Sequence, residues 1–128
     1  MPINKLFSGS LPLLEQALNV RMEKQGLIQS NIANLETPGY SVQDFSFEDV
    51  MKSVRNNAGQ VARTHTKHMA LDPVEVGRAR DFSSENRPPD LDEEMMKLSE
   101  NQLMYEVTTR LMTKKLEGLK YAIDEGGK

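Results

Sequence analysis

Few side chains in this 128-residue chain form a pattern that suggests metal binding or catalysis. The only two histidines, His65 and His68, lie three apart, a spacing at which two imidazoles could share a metal ion. The chain has no cysteine, Asp72 is the only nearby carboxylate, and Lys67 between the histidines opposes a cation. We therefore predict no metal site, and a polar connecting segment explains the pair better.

Paired carboxylates at Glu93-Glu94 and Asp124-Glu125 could in principle act as a general acid and base. Both pairs lie near lysines in the sequence, and their neighbours do not suggest the apolar pocket that would raise a carboxyl pKa. The chain also lacks a glycine-rich phosphate loop and a nucleophile motif. We predict that the protein is not an enzyme, with no catalytic residues, no cofactor and no small-molecule substrate.

Asn31 and Asn34 are the remaining polar pair of interest. Three residues apart on a helix, their amides share a face and could hydrogen-bond a neighbouring backbone. The plainer interpretation is a helix end, because Thr37-Pro38-Gly39 follows and both proline and glycine interrupt helices. An amphipathic helix therefore stops in this segment.

The composition permits one modest domain with a thin core: 38% of residues are apolar, 5% are aromatic and none is tryptophan. A net charge of −3 gives no basic surface for nucleic acid or an anionic membrane. We find no secretory signal and no apolar stretch long enough to span a bilayer. The absence of cysteine fits a reducing cytoplasm or a chain that crosses membranes unfolded.

The first helix is predicted over residues 11–35 by a coiled-coil seam with alternating spacings of three and four. Ser10 is placed to cap its start, and Pro12 is tolerated in the first turn. The seam positions are Leu11, Leu14, Leu18, Arg21, Gln25, Ile28, Ile32 and Leu35.

A second long helix is predicted from Leu91 toward the C-terminus by the same spacing. Asp90 and Glu93 form a capping-box pattern before it. Its predicted seam consists of Leu91, Met95, Leu98, Gln102, Tyr105, Thr109, Met112, Leu116, Leu119 and Ile123.

The middle of the chain, residues 41–90, has no sustained period and is predicted to be irregular, disordered or held by short strands. Phe45 to Val54 could form a two-turn helix, whereas Gln60 to Thr64 and Leu71 to Val76 are weak strand candidates. The predicted fold class is thus mainly α, with two long terminal helices in a coiled-coil-like antiparallel pair. The chain then divides into a flexible segment 1–10, a helix with its stop over 11–40, the middle 41–90, and a helix with a short tail over 91–128.

Two segments resemble the bacterial flagellar rod and hook proteins, the axial subunits of the flagellum. The N-terminal signature consists of Ser30, Asn31, Ala33, Asn34, Thr37, Pro38, Gly39 and Tyr40. The C-terminal one runs Asp90-Leu91-Asp92-Glu93-Glu94-Met95, then Leu98-x-Glu100-Asn101-Gln102-Leu103-x-Tyr105. Tyr105-Glu106-Val107-Thr108 lacks the Tyr-x-x-Asn of many relatives, which favours the proximal rod proteins, and Arg87-Pro88-Pro89 stands where many relatives have a glycine-asparagine turn.

This resemblance implies a structural subunit of the basal-body rod. The subunit would be exported by the flagellar type III apparatus without a cleaved signal peptide and would polymerise through its terminal helices. Its partners would be other copies of itself, neighbouring rod proteins, the membrane ring or adaptor at the rod base and, in transit, the export apparatus. The expected assembly interface comprises Leu14, Leu18, Ile28, Asn31, Ile32, Asn34, Leu98, Tyr105, Met112, Leu116 and Leu119.

Two short aromatic-x-x-x-aliphatic elements, Phe7 to Leu11 and Phe47 to Met51, resemble the element through which such subunits engage the export gate. Ordinary packing roles for both aromatic residues remain the alternative. The alternative for the whole chain is a cytosolic helical adapter or export chaperone, because two long helices around a polar middle would also suit a binding module.

Overall fold

The computed structural model describes residues 10–64 and 83–127, with side chains for all of these except 57–64 and 83–85. Within these ranges, three helices, α1 (Leu11–Ala33), α2 (Phe47–Thr64) and α3 (Leu91–Gly126), alternate with two short strands, β1 (Val42–Asp44) and β2 (Ser83–Glu85). Helix α1 packs against α3, α2 and β1. The predicted fold class, mainly helical with two long paired helices, is confirmed.

Helix α1 begins where the sequence predicts, but its start is capped differently. The amide of Leu14 donates to the carbonyl of Ser10 at 2.9 Å, which begins the helix. The Ser10 hydroxyl makes no capping hydrogen bond, so the predicted cap is wrong. That hydroxyl instead accepts a hydrogen bond from the ammonium group of Lys115 on α3. Ser10 has a helical backbone conformation, which turns its side chain away from the first amides.

Helix α3 is the longest element, with 36 residues that span roughly 54 Å at 1.5 Å per residue. The Asp90 carboxylate accepts a hydrogen bond from the Asp92 amide at 2.9 Å, so it caps this helix as predicted. The Glu93 carboxylate does not complete a capping box, because it pairs with Arg87 instead. The acidic first turn suits the positive end of the helix dipole, whereas the last turn holds no basic residue.

The middle of the chain is more ordered in part than its sequence pattern indicates. Strands β1 and β2 form an antiparallel pair in which Gln43 lies opposite Ser84. Helix α2 has 18 residues, far more than two turns, and it includes Gln60 to Thr64. The strand prediction there is wrong because Ala58 and Val61 continue the three-four spacing of the preceding apolar residues. The candidate Leu71 to Val76 lies outside the described residues.

The described core is small, as the composition predicts. A cluster of Val20 on α1 with Val50 and Val54 on α2 holds those helices together, and three partly buried residues pack around it. Those three are Phe45, Phe47 and Met51. Seven apolar side chains in all are buried among the described residues. Because this apolar core is small, polar contacts contribute much to the positioning of α3.

Candidate functional site

The Asn-rich segment ends α1 and turns the chain back toward the strands. Asn34 caps the C-terminus, where its amide group donates to the Ser30 carbonyl at 2.8 Å. The Thr37 hydroxyl donates to Asn34 at 3.1 Å, and the Tyr40 amide donates to the Thr37 carbonyl at 3.3 Å. Gly39 has a φ of 77°, a left-handed conformation that favours glycine. Asn34 therefore serves its own turn and does not contact a neighbouring helix.

Asn31 has the opposite surroundings, because it is buried with only 1% of its surface exposed. Its amide nitrogen donates to the Gln43 carbonyl at 2.8 Å and to Glu94 Oε2 at 3.1 Å. Its amide oxygen accepts from the Tyr40 hydroxyl at 2.8 Å and from the Gln43 amide at 3.2 Å. One side chain thus joins α1, the turn, β1 and α3, and all of its hydrogen-bonding capacity is used.

Glu94 is a charged residue with no exposed surface. Its Oε2 accepts from Asn31, and its Oε1 lies 3.5 Å from the ammonium nitrogen of Lys97, one turn further along α3. Lys97 also lies 3.2 Å from Asp44 Oδ2 on β1. A buried carboxylate needs such compensation, because an unpaired buried charge costs several kcal/mol. The cluster therefore fixes α3 against both α1 and the strand pair.

Glu93 and Arg87 extend the ionic contacts to the exposed edge of this cluster. The Arg87 guanidinium donates two hydrogen bonds to Glu93, at 3.0 and 2.8 Å, and Lys97 lies 3.0 Å from the same carboxylate. The hydrogen bonds from Arg87 and then Lys97 lower the pKa of Glu93 to about 2. Burial lowers the pKa of Lys97, but its hydrogen bond to Glu93 and the negative charge of Asp44 outweigh burial and raise it.

A second polar contact lies further along the helix pair. Asn101 on α3, 1% exposed, donates to the Arg21 carbonyl at 2.8 Å and accepts from the Arg21 guanidinium at 3.4 Å. The guanidinium also stacks over the Phe47 ring, 3.7 Å from its centre. Burial lowers the pKa of Arg21, partly offset by Glu100. Arg21 thereby links α1 to both α2 and α3.

These polar contacts change which residues of α3 face α1. The apolar pattern predicts a seam through Met95 and Gln102, yet both are exposed. Glu94 and Asn101, each one residue earlier, are buried in their place. One row of the facing stripe is thus shifted back by one residue, since long-range polar partners compensate the two polar side chains.

The residues expected at the assembly interface occupy both inward and outward positions. On α1, Ile28 and Asn31 are buried, while Leu14, Leu18, Ile32 and Asn34 are partly buried. On α3, Leu98, Tyr105, Met112 and Leu119 are partly buried, while Leu116 is exposed. Most of them therefore lie within the folded subunit and not on its outer surface.

The outer surface of α3 carries large apolar side chains that remain exposed. Five of them, spread over successive turns of the helix, define what we term the outer face. The outer face comprises Met96, Leu103, Met104, Val107 and Leu111. Met96 is 76% and Leu103 is 59% exposed, values unusual for such residues when several share one face.

The two aromatic-x-x-x-aliphatic elements differ in what the structure describes. Phe7 lies outside the described residues, and Leu11 is buried at the start of α1. Phe47 and Met51 are partly buried against the valine cluster between α1 and α2. A shallow groove of 270 Å³ beside them is lined by Leu13, Phe47, Glu48, Met51, Lys52 and Arg55.

The structure describes only some of the residues considered above for metal binding. His65 and His68 lie outside the described part of the chain. Within residues 10–64 and 83–127, no group of three or more potential metal-ligating side chains comes together. No helix there is long and apolar enough to cross a membrane.

Sequence reasoning missed Glu94, Lys97 and Asn101 as determinants of helix pairing. Glu94 and Asn101 belong to the C-terminal signature, and their place in that motif was the one feature of the sequence that could have indicated a structural role. Arg21 did appear in the predicted seam, although as an interruption and not as a contact. The polar residues of both signatures meet in the folded structure, Asn31 and Tyr40 from one and Glu94 from the other.

Comparison with known proteins identifies the class. No family model matches the chain. A flagellar basal body rod protein FlgB from Cereibacter sphaeroides is 32% identical over 123 residues, which cover 91% of this chain and 95% of the relative. FlgB of Bacillus subtilis (strain 168) is 29% identical over 127 residues, 94% of this chain and 98% of the relative. FlgB of Salmonella typhimurium is 29% identical over 131 residues, 92% and 95% of the two chains.

The paired helices, the Asn-rich turn and these full-length similarities together define the class of flagellar basal body rod proteins. Within that class, the chain belongs to the FlgB family. The resemblance inferred from the two signatures is confirmed.

Proposed function

We propose that this protein is a structural subunit of the proximal part of the flagellar basal-body rod. It is exported through the flagellar type III apparatus without a cleaved signal peptide, and it polymerises through its terminal helices. The polymer transmits torque across the periplasm. Family membership supports the rod, and the exposed outer face of α3 carries the proposal of polymerisation.

The outer face supports assembly because the described subunit leaves it in water. Burial of apolar surface stabilises a contact by about 25 cal/mol per Å². With only seven apolar side chains buried among the described residues, this part of the subunit has little such stabilisation of its own. Contacts with other copies and with neighbouring rod proteins would supply it, so that folding and assembly are coupled.

The internal contacts have a different role in this proposal. Leu18 is partly buried and Ile28 is buried within the subunit, whereas Leu103 and Leu116 are exposed and free to meet another subunit. The expected interface residues therefore divide into positions that shape the subunit and positions available for contact. A head-to-tail contact between such surfaces gives an open helical polymer.

Export is proposed to use the chain before it folds. Phe47 and Met51, one of the two elements that resemble export-gate ligands, pack against Val20, Val50 and Val54 in the folded subunit. The gate could bind these side chains only when α2 is released from α1. When the subunit folds after export, Phe47 and Met51 would be packed against α1 and could no longer bind the gate. Export and assembly would then use different conformations of the chain.

The proposal is tested by replacing Leu103, Val107 and Leu111 together with glutamine, which keeps helix propensity but removes the apolar side chains. The variant should keep the helical content of the wild type, and it should be absent from isolated basal bodies and fail to restore motility in a strain that lacks the protein. Glu106→Gln with Arg110→Gln, exposed positions on the same turns of α3, is the matched control and should assemble normally.

Normal incorporation of the triple variant would contradict the assembly role of the outer face. A protein found only in the cytosol, and absent from basal bodies even as the wild type, would instead indicate the adapter or chaperone alternative. The two results are distinguishable because the first concerns only the variant.

A further inference from the structure

The guanidinium of Arg21 contacts two helices that both pack against α1. Its central carbon lies over the ring of Phe47, the first residue of α2, at 3.7 Å from the ring centre. Its Nη1 donates a hydrogen bond to Oδ1 of Asn101 on α3, at 3.4 Å. One cation is thus shared between an aromatic ring on α2 and an amide on α3.

Neither contact holds the guanidinium firmly by itself. A distance of 3.4 Å is long for such a hydrogen bond, and a ring attracts a cation most strongly where water is excluded. The Nε of Arg21 is buried and has no hydrogen-bond partner among the described residues, so the cation is already partly dehydrated. Loss of either contact would therefore favour a rotamer in which water solvates the guanidinium.

Asn101 depends on the position of that guanidinium. Its side chain is 1% exposed, and its Nδ2 donates to the backbone carbonyl of Arg21 at 2.8 Å. Its Oδ1 accepts from the Arg21 guanidinium. If the guanidinium moved into water, this oxygen would lose that donor while buried, which is unfavourable. The contact between α1 and α3 would then be weaker at this point.

We propose that Arg21 couples the docking of α2 on α1 to the pairing of α1 with α3. The Phe47 ring holds the guanidinium beside Asn101 and so strengthens the helix pair. The Asn101 amide holds the guanidinium over the ring and so strengthens the docking of α2. The coupling is reciprocal, because two linked equilibria change each other by the same factor.

This coupling gives the release of α2 a consequence for α3. Apart from the Arg21 contact, α2 is held on α1 by the apolar cluster of Val20, Val50 and Val54. When α2 leaves, Phe47 no longer covers the guanidinium, and α3 loosens at Asn101. An export gate that binds Phe47 would thereby also loosen the helix pair. That consequence rests on the proposed function, whereas the coupling itself does not.

A double-mutant cycle in the full chain tests the coupling. Phe47→Leu keeps an apolar side chain but removes the ring, and Asn101→Ala removes the amide. Urea unfolding followed by circular dichroism gives the unfolding constant of each variant. The product of the two single effects should exceed the effect of the double variant by at least about fivefold, because either substitution already releases the guanidinium. In an Arg21→Met background, the two effects should multiply within about twofold.

The matched control cycle combines Phe47→Leu with Glu94→Gln. Glu94 is also buried on α3, but its partner on α1 is Asn31 and not Arg21. The effects of these two substitutions should therefore multiply within about twofold.

Three outcomes of the cycles would refute the proposal. Effects that multiply in the wild-type background would mean that Phe47 and Asn101 act independently. Coupling that persists with Arg21→Met would mean that it passes through the packing of α1. Equal coupling in the Glu94 control would indicate general cooperativity of the fold.

A second measurement needs no unfolding and uses the milder variant Asn101→Ser. The Phe47 ring shifts the magnetic resonance signals of protons that lie over it, so the signals of the Arg21 side chain report the stacking. Asn101→Ser should move these signals most of the way to their positions in Phe47→Leu. Signals that stay at their wild-type positions would show that the stacking does not depend on Asn101, and the proposal would be wrong.

Discussion

The amide nitrogen of Asn31 donates a hydrogen bond to the carboxylate of Glu94 at 3.1 Å, between two fully buried side chains 63 positions apart. This contact connects the N-terminal signature of the family to its C-terminal one. Asn31 thus makes a tertiary contact, although its motif resembles a simple helix stop. Asn34, three residues later, is the residue that ends the helix. The two asparagines have separate tasks, which mutation can distinguish.

Asn31→Ala should destabilise the subunit by about 2–4 kcal/mol, because it leaves the buried Glu94 carboxylate without this donor and removes the hydrogen bonds to Gln43 and Tyr40. Asn34→Ala removes only exposed local contacts and should cost about 1 kcal/mol or less. Urea unfolding followed by circular dichroism measures both. Equal losses for the two variants would show that the buried network contributes nothing beyond a helix cap.

Gly39→Ala should destabilise the turn by about 1–2 kcal/mol, because alanine is strained at a φ of 77°. No atom lies within 4 Å of the added Cβ, so the cost would be conformational and not steric. Gly26→Ala, in the interior of α1 with the same free space, is the matched control. It should stabilise the protein by about 0.5–1 kcal/mol through helix propensity. Thermal unfolding midpoints should therefore shift in opposite directions.

The ion pairs of Glu93 predict a defined pH dependence. Its pKa in the folded protein is about 2, against an ordinary value of 4.5. The folded state therefore binds this proton more weakly than the unfolded state, so the stabilisation is present above pH 4.5 and is lost as the pH falls toward 2. Glu93→Gln should lower the unfolding midpoint at neutral pH and should match the wild type near pH 2.

The control for this pH experiment is Glu117→Gln, which removes one negative charge from an exposed position of the same helix. Subtracting its profile isolates the contribution of the contacts with Arg87 and Lys97. A difference between wild type and Glu93→Gln that stays constant from neutral to acid pH would contradict the assignment.

Ile28→Ala should destabilise the subunit by about 2–4 kcal/mol, since the side chain is 1% exposed and its loss leaves a cavity. Leu103→Ala, 59% exposed on the outer face, should change the stability of the isolated subunit by less than about 0.5 kcal/mol. Denaturant unfolding of the purified variants measures the contrast. Comparable losses would mean that Leu103 is covered within the subunit.

The long helices could be predicted from sequence because their apolar spacing is sustained over many turns. The N-terminal boundary of α3 was also predictable, since Asp90 has the side chain that a cap requires and uses it. Helix α2 was underestimated because its apolar spacing continues through alanine and valine among polar residues. Its first turns pack against Val20 of α1, a partner distant in sequence that the local pattern does not show.

The orientation of α3 about its own axis could not be predicted by apolar spacing alone. That pattern places Met95 and Gln102 in the seam and leaves out Glu94 and Asn101. The structure reverses both choices, because Asn31 and Arg21 approach from α1 and bond to Glu94 and Asn101. Compensation between residues so distant in sequence leaves no periodic signal in either helix.

Glu94 and Asn101 stand two turns apart on α3, each bonded to its own residue of α1. If either helix slid along the other by a single turn, about 5.4 Å, both hydrogen bonds would break at once. The Glu94 carboxylate would then be buried without its partner. Interleaved apolar side chains alone would permit such sliding to a similar neighbouring fit. The two polar bonds therefore oppose shear along the helix pair and fix the alignment of its two helices.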